Sequence, residues 1–87
     1  MTGIDTREEM ERVHAHPSLT HGERKLLEWQ FKASGHFYKA LWEAICHADE
    51  GNLDRLEKGF PSEVQAYRDY AHTGEFGRKV KRILSKQ

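Results

Sequence analysis

Between Phe37 and Ala48 the chain sets Phe37, Leu41, Ala44, Ile45 and Ala48 three or four residues apart. That spacing brings side chains back to one side of an α-helix. Tyr38 and Trp42 widen the stripe, while Lys39 and Glu43 stand four apart on the other side, placed for an ion pair. No stretch alternates apolar and polar residues for long enough to make a strand. The class is therefore all-α, with this helix at the centre of the core.

The same period recurs along the chain. Thr6-Arg7-Glu8-Glu9 has the Thr-x-x-Glu form of a capping box, in which the two side chains satisfy free backbone N–H groups of a first turn. Met10 and Val13 follow, and Pro17 closes a helix near 6–15. Thr20-His21-Gly22-Glu23 repeats the box and opens a helix over 21–33, with Leu26, Leu27, Gln30, Phe31 and Ser34 in phase and Trp29 at the edge. Ser34-Gly35 then makes a break or a kink. Since Leu27, Phe31, Tyr38, Leu41, Ile45 and Ala48 keep one phase across it, two helices and one bent rod both fit.

Gly51 is placed as the left-handed residue after the central helix, with Asn52 capping a short helix of Leu53 and Leu56 that Gly59 ends. Pro61 suits the first position of the next helix, whose inner side holds Val64, Tyr67, Tyr70 and Ala71. His72–Gly77 interrupts the pattern, and Val80, Ile83 and Leu84 then form the inner side of a basic C-terminal helix within 75–87. The expectation is a small bundle of about four to five short helices in a single domain, 1–87.

A chain of 87 residues removes only about 60–65% of its unfolded surface from water, which leaves a thin stability margin. Nine aromatics in so short a chain suggest that a second copy supplies part of the core, so a homo-oligomer is expected. Cys46 is the only cysteine. It can form no intrachain disulfide, is expected as a small core residue, and fits an intracellular setting. No apolar run reaches the roughly 18 residues of a membrane span, and the start lacks a signal-peptide core. Neither secretion nor membrane insertion is expected.

Six histidines raise the question of a metal. A structural zinc site needs four converging ligands, usually two close pairs. His14 and His16 are two apart and diverge at a helix end, and Cys46 and His47 are adjacent, about 100° apart around a helix. The same divergence rules out a Cys46–His47 dyad, which needs the base within hydrogen-bond reach. Ser18, Ser34 and Ser62 stand where helix caps are expected. Asp49, Glu50 and Asp54 lack the alternating ligands of a calcium loop, and Gly74 and Gly77 lack the lysine of a phosphate loop. The sequence points to a non-enzyme with no metal and no cofactor.

Two features remain for binding. Residues 1–77 hold fourteen acids and nine bases, whereas 78–87 hold five bases and no acid. Arg78, Lys81 and Arg82 share a helix face beside Lys79, which is suited to phosphate oxygens of a nucleotide or a nucleic acid. The alternative is simple complementarity to the helix dipole. Among the aromatics, Trp29, Tyr38, Trp42, Tyr67 and Tyr70 are the candidates for a ligand or interface, because such side chains anchor contacts and stack on flat ligands.

The run from Trp29-Gln30-Phe31 through Ser34-Gly35-His36-Phe37-Tyr38-Lys39-Ala40-Leu41-Trp42 to Ala48-Asp49 and Asn52-Leu53 leads into Leu56-Glu57-Lys58-Gly59-Phe60-Pro61-Ser62-Glu63-Val64. Over about residues 26–70 it resembles a group of short phage- and prophage-encoded proteins, most specifically in Gly59-Phe60-Pro61-x-Glu63-Val64 after Ala48-Asp49-x-x-Asn52-Leu53. The resemblance transfers no residue roles. It implies a phage product in the cytoplasm of a bacterial host, modulating host machinery or host defence. The expected function is therefore binding, either of a host protein or of a small nucleotide-type signal that it sequesters. The alternative is a nucleic-acid-binding accessory protein that uses the basic C-terminal helix.

Overall fold

Both Thr-x-x-Glu sequences do start helices in the computed structural model, which describes residues 4–85. Thr6 accepts from the Glu9 N–H at 3.1 Å while Glu9 accepts from the Thr6 N–H at 3.3 Å, opening α1 (Arg7–Ala15). Thr20 and Glu23 make the same exchange at 3.1 and 2.9 Å, opening α2 (His21–Gln30). The other helices are α3 (His36–His47), α4 (Glu50–Gly59), α5 (Pro61–Ala71) and α6 (Glu75–Ser85). The described chain thus has six helices, more than the four or five expected. Lys86 and the rest of the 75–87 segment beyond Ser85 lie outside the described residues.

The junction between α2 and α3 is a full stop, which removes the bent rod and shortens the helix placed over 21–33. Lys32 takes φ 58°, and its N–H donates to the Trp29 carbonyl at 3.0 Å while the Ala33 N–H donates to the Glu28 carbonyl at 2.7 Å. This is a Schellman ending with a lysine where glycine is usual. The left-handed backbone costs an L-residue roughly 1–2 kcal/mol. A four-carbon side chain gives no local sign of it, so the sequence places the break three residues late, at Ser34-Gly35.

A similar shift occurs before α4. Asp49, not Asn52, is its cap and accepts from the Asn52 N–H at 2.8 Å, so Gly51 lies inside the first turn. The left-handed glycine is Gly74, between α5 and α6, at φ 75°. None of the three serines caps a helix. Ser18 donates to or accepts from His16 at 2.7 Å, Ser62 accepts from the Gly22 N–H at 2.7 Å, and the buried Ser34 hydroxyl has no partner among the described residues.

The core runs between α2 and α5, with α3, α4 and α6 closing around them. Leu26, Leu27, Val64 and Ala66 form its middle, and Phe76, Val80 and Ile83 cover it from α6. The first turns of α2 and α5 touch backbone to backbone. A Cβ built on Gly22 would stand 2.0 Å from the Ser62 carbonyl oxygen, so only hydrogen fits there. At the end of α1, Arg24 donates to the His14 and His16 carbonyls at 2.8 and 2.7 Å, satisfying acceptors that the helix leaves open.

α3 buries a different edge from the one its stripe suggests. Leu41, Trp42 and Ile45 are inside, Tyr38 is half-buried against them, and Ala44 is exposed. Phe37 is 60% exposed, whereas Trp42 is fully enclosed. Both 37/41/44/48 and 38/41/42/45 satisfy the helical period. The second wins because it encloses the largest apolar side chain, whose removal would cost about 3–5 kcal/mol. Cys46, expected in the core, is exposed on the outer side. Among the described residues, Lys39 and Glu43 form no ion pair.

Candidate ligand-binding cleft

The ending of α2 and the start of α3 leave a cleft of about 930 Å³ between the 29–39 segment, Ile4 and Tyr70 of α5. That volume falls within the range of small-molecule sites. Trp29, Phe31 and Tyr70 provide aromatic surface, and Trp29 is held from behind by Trp42, with ring centroids 6.0 Å apart and planes at 24°. Phe31 is 40% exposed, an unusual position for a large apolar side chain in a protein this small.

The polar lining is one-sided. Lys32, His36 and Lys39 bring positive or potentially positive groups, and Gln30 brings an amide. Among the described residues no carboxylate lines the cleft, although the chain carries 14 acids. The first turn of α3 lies at the same edge, through Gly35 and His36. Gly35 has no side chain with which to cap, so the first N–H groups of α3 are open donors at the positive end of the helix dipole. Ser34 adds a hydroxyl shielded from solvent that has no partner among the described residues. A buried hydroxyl left in that state costs about 1–3 kcal/mol.

Of the five aromatic candidates, the structure brings Trp29 and Tyr70 into this cleft and sends the others elsewhere. Trp42 is fully buried behind Trp29, where no surface ligand can touch it. Tyr67 packs edge-on to His72 at 5.6 Å. Burial raises its hydroxyl pKa, with Cys46, Glu50 and Tyr70 adding to the effect. Tyr38 donates to the buried Glu63 at 2.8 Å and meets His21 Nε2 at 2.9 Å, tying α2, α3 and α5 together. Burial and then the Glu63 hydrogen bond push its pKa up to about 12. Lys25 stands 5.0 Å over its ring.

The four basic candidates do not form one patch. Lys79 reaches from α6 to the buried Glu23 at 2.7 Å and to the Ser18 carbonyl at 2.6 Å, so it pins α6 to the start of α2. Arg78 folds back on Glu75 at 2.6 Å and on the Thr73 carbonyl at 2.8 Å. The Glu75 carboxyl is held below its usual range, first by that hydrogen bond and then by the charge of Arg78. Lys81 and Arg82 are exposed and make no ion pair among the described residues.

Phe31, Lys32, Ser34, His36 and Lys39 are cleft residues that the sequence did not single out. The signal available is their nearness in sequence to Trp29 around Gly35, with two lysines, a histidine and no acid between Gln30 and Ala40. On its other side Phe31 also borders a smaller cleft of about 610 Å³, which holds Asp5, Glu11 and the His14–Glu28 pair at 2.8 Å. Among the described residues, no three of His, Cys, Asp and Glu converge as a metal site, and no helix is long and apolar enough to cross a membrane. Compared with known protein families, curated proteins and solved structures, the chain finds no match in any of the three.

Proposed function

We propose that this chain is a non-enzymatic binding protein that takes a flat, anionic ligand of nucleotide type in the cleft between α2, α3 and Tyr70. One observation carries the reading: three aromatic side chains and three basic ones share a cleft that no carboxylate of the described residues lines. A flat ring gains stacking area on Trp29, Phe31 or Tyr70, and a negative group gains from Lys32, Lys39 and His36. In the setting that the phage resemblance implies, the protein acts in the cytoplasm of a bacterial host by sequestering such a signal.

Titration calorimetry with a panel of nucleosides and nucleotides tests the reading. Micromolar binding of at least one nucleotide that is lost in Trp29→Ala is the expected result. A panel that gives no heat and no thermal shift at millimolar ligand overturns it.

A second reading concerns protein contact. Phe37 is 60% exposed and meets Phe60 with ring centroids 5.9 Å apart, an apolar surface suited to a host protein or another copy of the chain. Sedimentation of Phe37→Ser beside the wild type tests it. Equal masses at one chain each would remove self-association. The nucleic-acid alternative is the weaker one, since Lys79 and Arg78 are engaged within the fold.

A further inference from the structure

Resting on the protein-contact reading, we infer that the open face of α3 pairs with the same face of a second copy of this chain. The two helices run antiparallel about a two-fold axis near Ala40 and Leu41. α3 is the most apolar of the six helices. It packs chiefly on α2, and its Leu41, Trp42 and Ile45 side is buried, while Phe37, Ala40 and Ala44 stand in the open. A chain this small has little else with which to cover such a helix.

The order of charges along the open side identifies the occupant. Lys39 lies in the first half of α3 and Glu43 in the second. Both are exposed, and neither forms an ion pair among the described residues. With 3.6 residues per turn, Lys39 and Glu43 fall on one flank of the line through Ala40, and Phe37 and Ala44 fall on the other. Antiparallel helices related by a two-fold axis set each flank against the same flank of the mate, with its order reversed. Lys39 of each copy then meets Glu43 of the other, so the ion pair forms twice.

On the opposite flank, Phe37 of each copy comes over Ala44 of the other, a large side chain above a small one. Phe60, with its ring centroid 5.9 Å from that of Phe37, extends this apolar flank beyond α3. A parallel pair would instead place Lys39 on Lys39, Glu43 on Glu43 and Phe37 on Phe37. The face is complementary to itself in one orientation, a property that a surface for an unrelated protein does not need. One helix pair with this extension stands at the low end of stable interfaces, so the dimer should dissociate with a Kd of about 1–100 µM.

Sedimentation equilibrium of the ligand-free chain tests the pairing. The samples are the wild type, Lys39→Glu, Glu43→Lys, the two substitutions on one chain, and an equimolar mixture of the two single variants. All these positions are exposed, and circular dichroism should show the helix content of the wild type in each. Either single substitution opposes like charges at both contacts and should raise the Kd at least about tenfold. The double variant should dimerise again. So should the mixture, as a heterodimer, because each chain then offers the charge that the other lacks. Rescue within one helix cannot explain that last result.

A mixture that stays monomeric overturns the antiparallel pairing. If Phe37→Ser still breaks a wild-type dimer in that case, the protein-contact reading stands without it. A wild type that remains at one chain at millimolar concentration overturns the pairing and leaves Phe37 and Phe60 to a different protein.

Discussion

Cations gather at two places in this molecule, on α6 and around the cleft beside α3, and their surroundings are opposite. On α6, Lys79 and Arg78 each reach both a carboxylate and a backbone carbonyl, within 2.8 Å. Around the cleft, Lys32, His36 and Lys39 border open N–H groups and a hydroxyl without a partner, with no carboxylate among them. On α6 the charges of Lys79 and Arg78 are spent inside the fold, while Lys81 and Arg82 stay exposed. Those of the cleft are available to something else. The density of basic residues along a sequence therefore says little about which of them can meet a ligand, because the partners of each lie far away in the chain. Lys79 and Glu23, for instance, are 56 positions apart.

If this contrast is right, Lys79→Ala gives the largest effect on stability. It takes from Glu23, which is only 5% exposed, its cationic partner and leaves it only the Thr20 N–H. The half-open side chain of Lys79 limits the cost to about 2–3 kcal/mol, read as a lower denaturant midpoint with ligand affinity unchanged. Next comes the pair Lys32→Ala and Lys39→Ala. Affinity for the nucleotide that binds in the cleft should fall by about tenfold to a hundredfold, with the denaturant midpoint level or raised, since the Lys32 side chain makes no hydrogen bond or ion pair among the described residues. A midpoint drop like that of Lys79→Ala would erase the distinction between the two regions.

Lys81→Ala with Arg82→Ala should alter stability by no more than about 0.5 kcal/mol. If this double variant also abolishes salt-sensitive retardation of DNA by the wild type, α6 holds a surface site after all and the nucleic-acid alternative returns. The last effect, confined to alkaline pH, is at Tyr38, part of the satisfied region. Its folded pKa, about 12, lies above the ordinary value of 10, through burial first and then the bond to Glu63, so the stability held by the neutral hydroxyl is fully present below pH 10. That contribution declines as pH rises from 10 towards 12. Chemical denaturation across this window should show the decline in the wild type and a flatter profile in Tyr38→Phe.

What the sequence made legible follows the range of the interactions. Thr6-x-x-Glu9 and Thr20-x-x-Glu23 are local exchanges within one turn, and both helix starts fall where those residues place them. The all-helical class follows from the same short period. The face of α3 was misread because Phe37 and Trp42 lie on two stripes of equal period, and only packing against α2, through the Trp29–Trp42 stack, decides between them. Lys32 was missed because its left-handed backbone is set by the ending of a helix and not by its own side chain. Of the cleft, Trp29 and Tyr70 were legible as surplus aromatics. Its polar half was not, since it depends on which side chains remain without partners once every other contact has formed.

The contact between Gly22 and Ser62 has a consequence for ancestry. Where an α2 residue touches the α5 backbone with room for a single hydrogen, any side chain at that position forces the two helices apart. The core between them would then have to be rebuilt from other residues. A descendant sequence can change nearly every exposed residue and still keep this arrangement, but it cannot change that glycine alone. Position 22 therefore marks which diverged sequences share this fold, more sharply than any of the aromatic residues around the cleft.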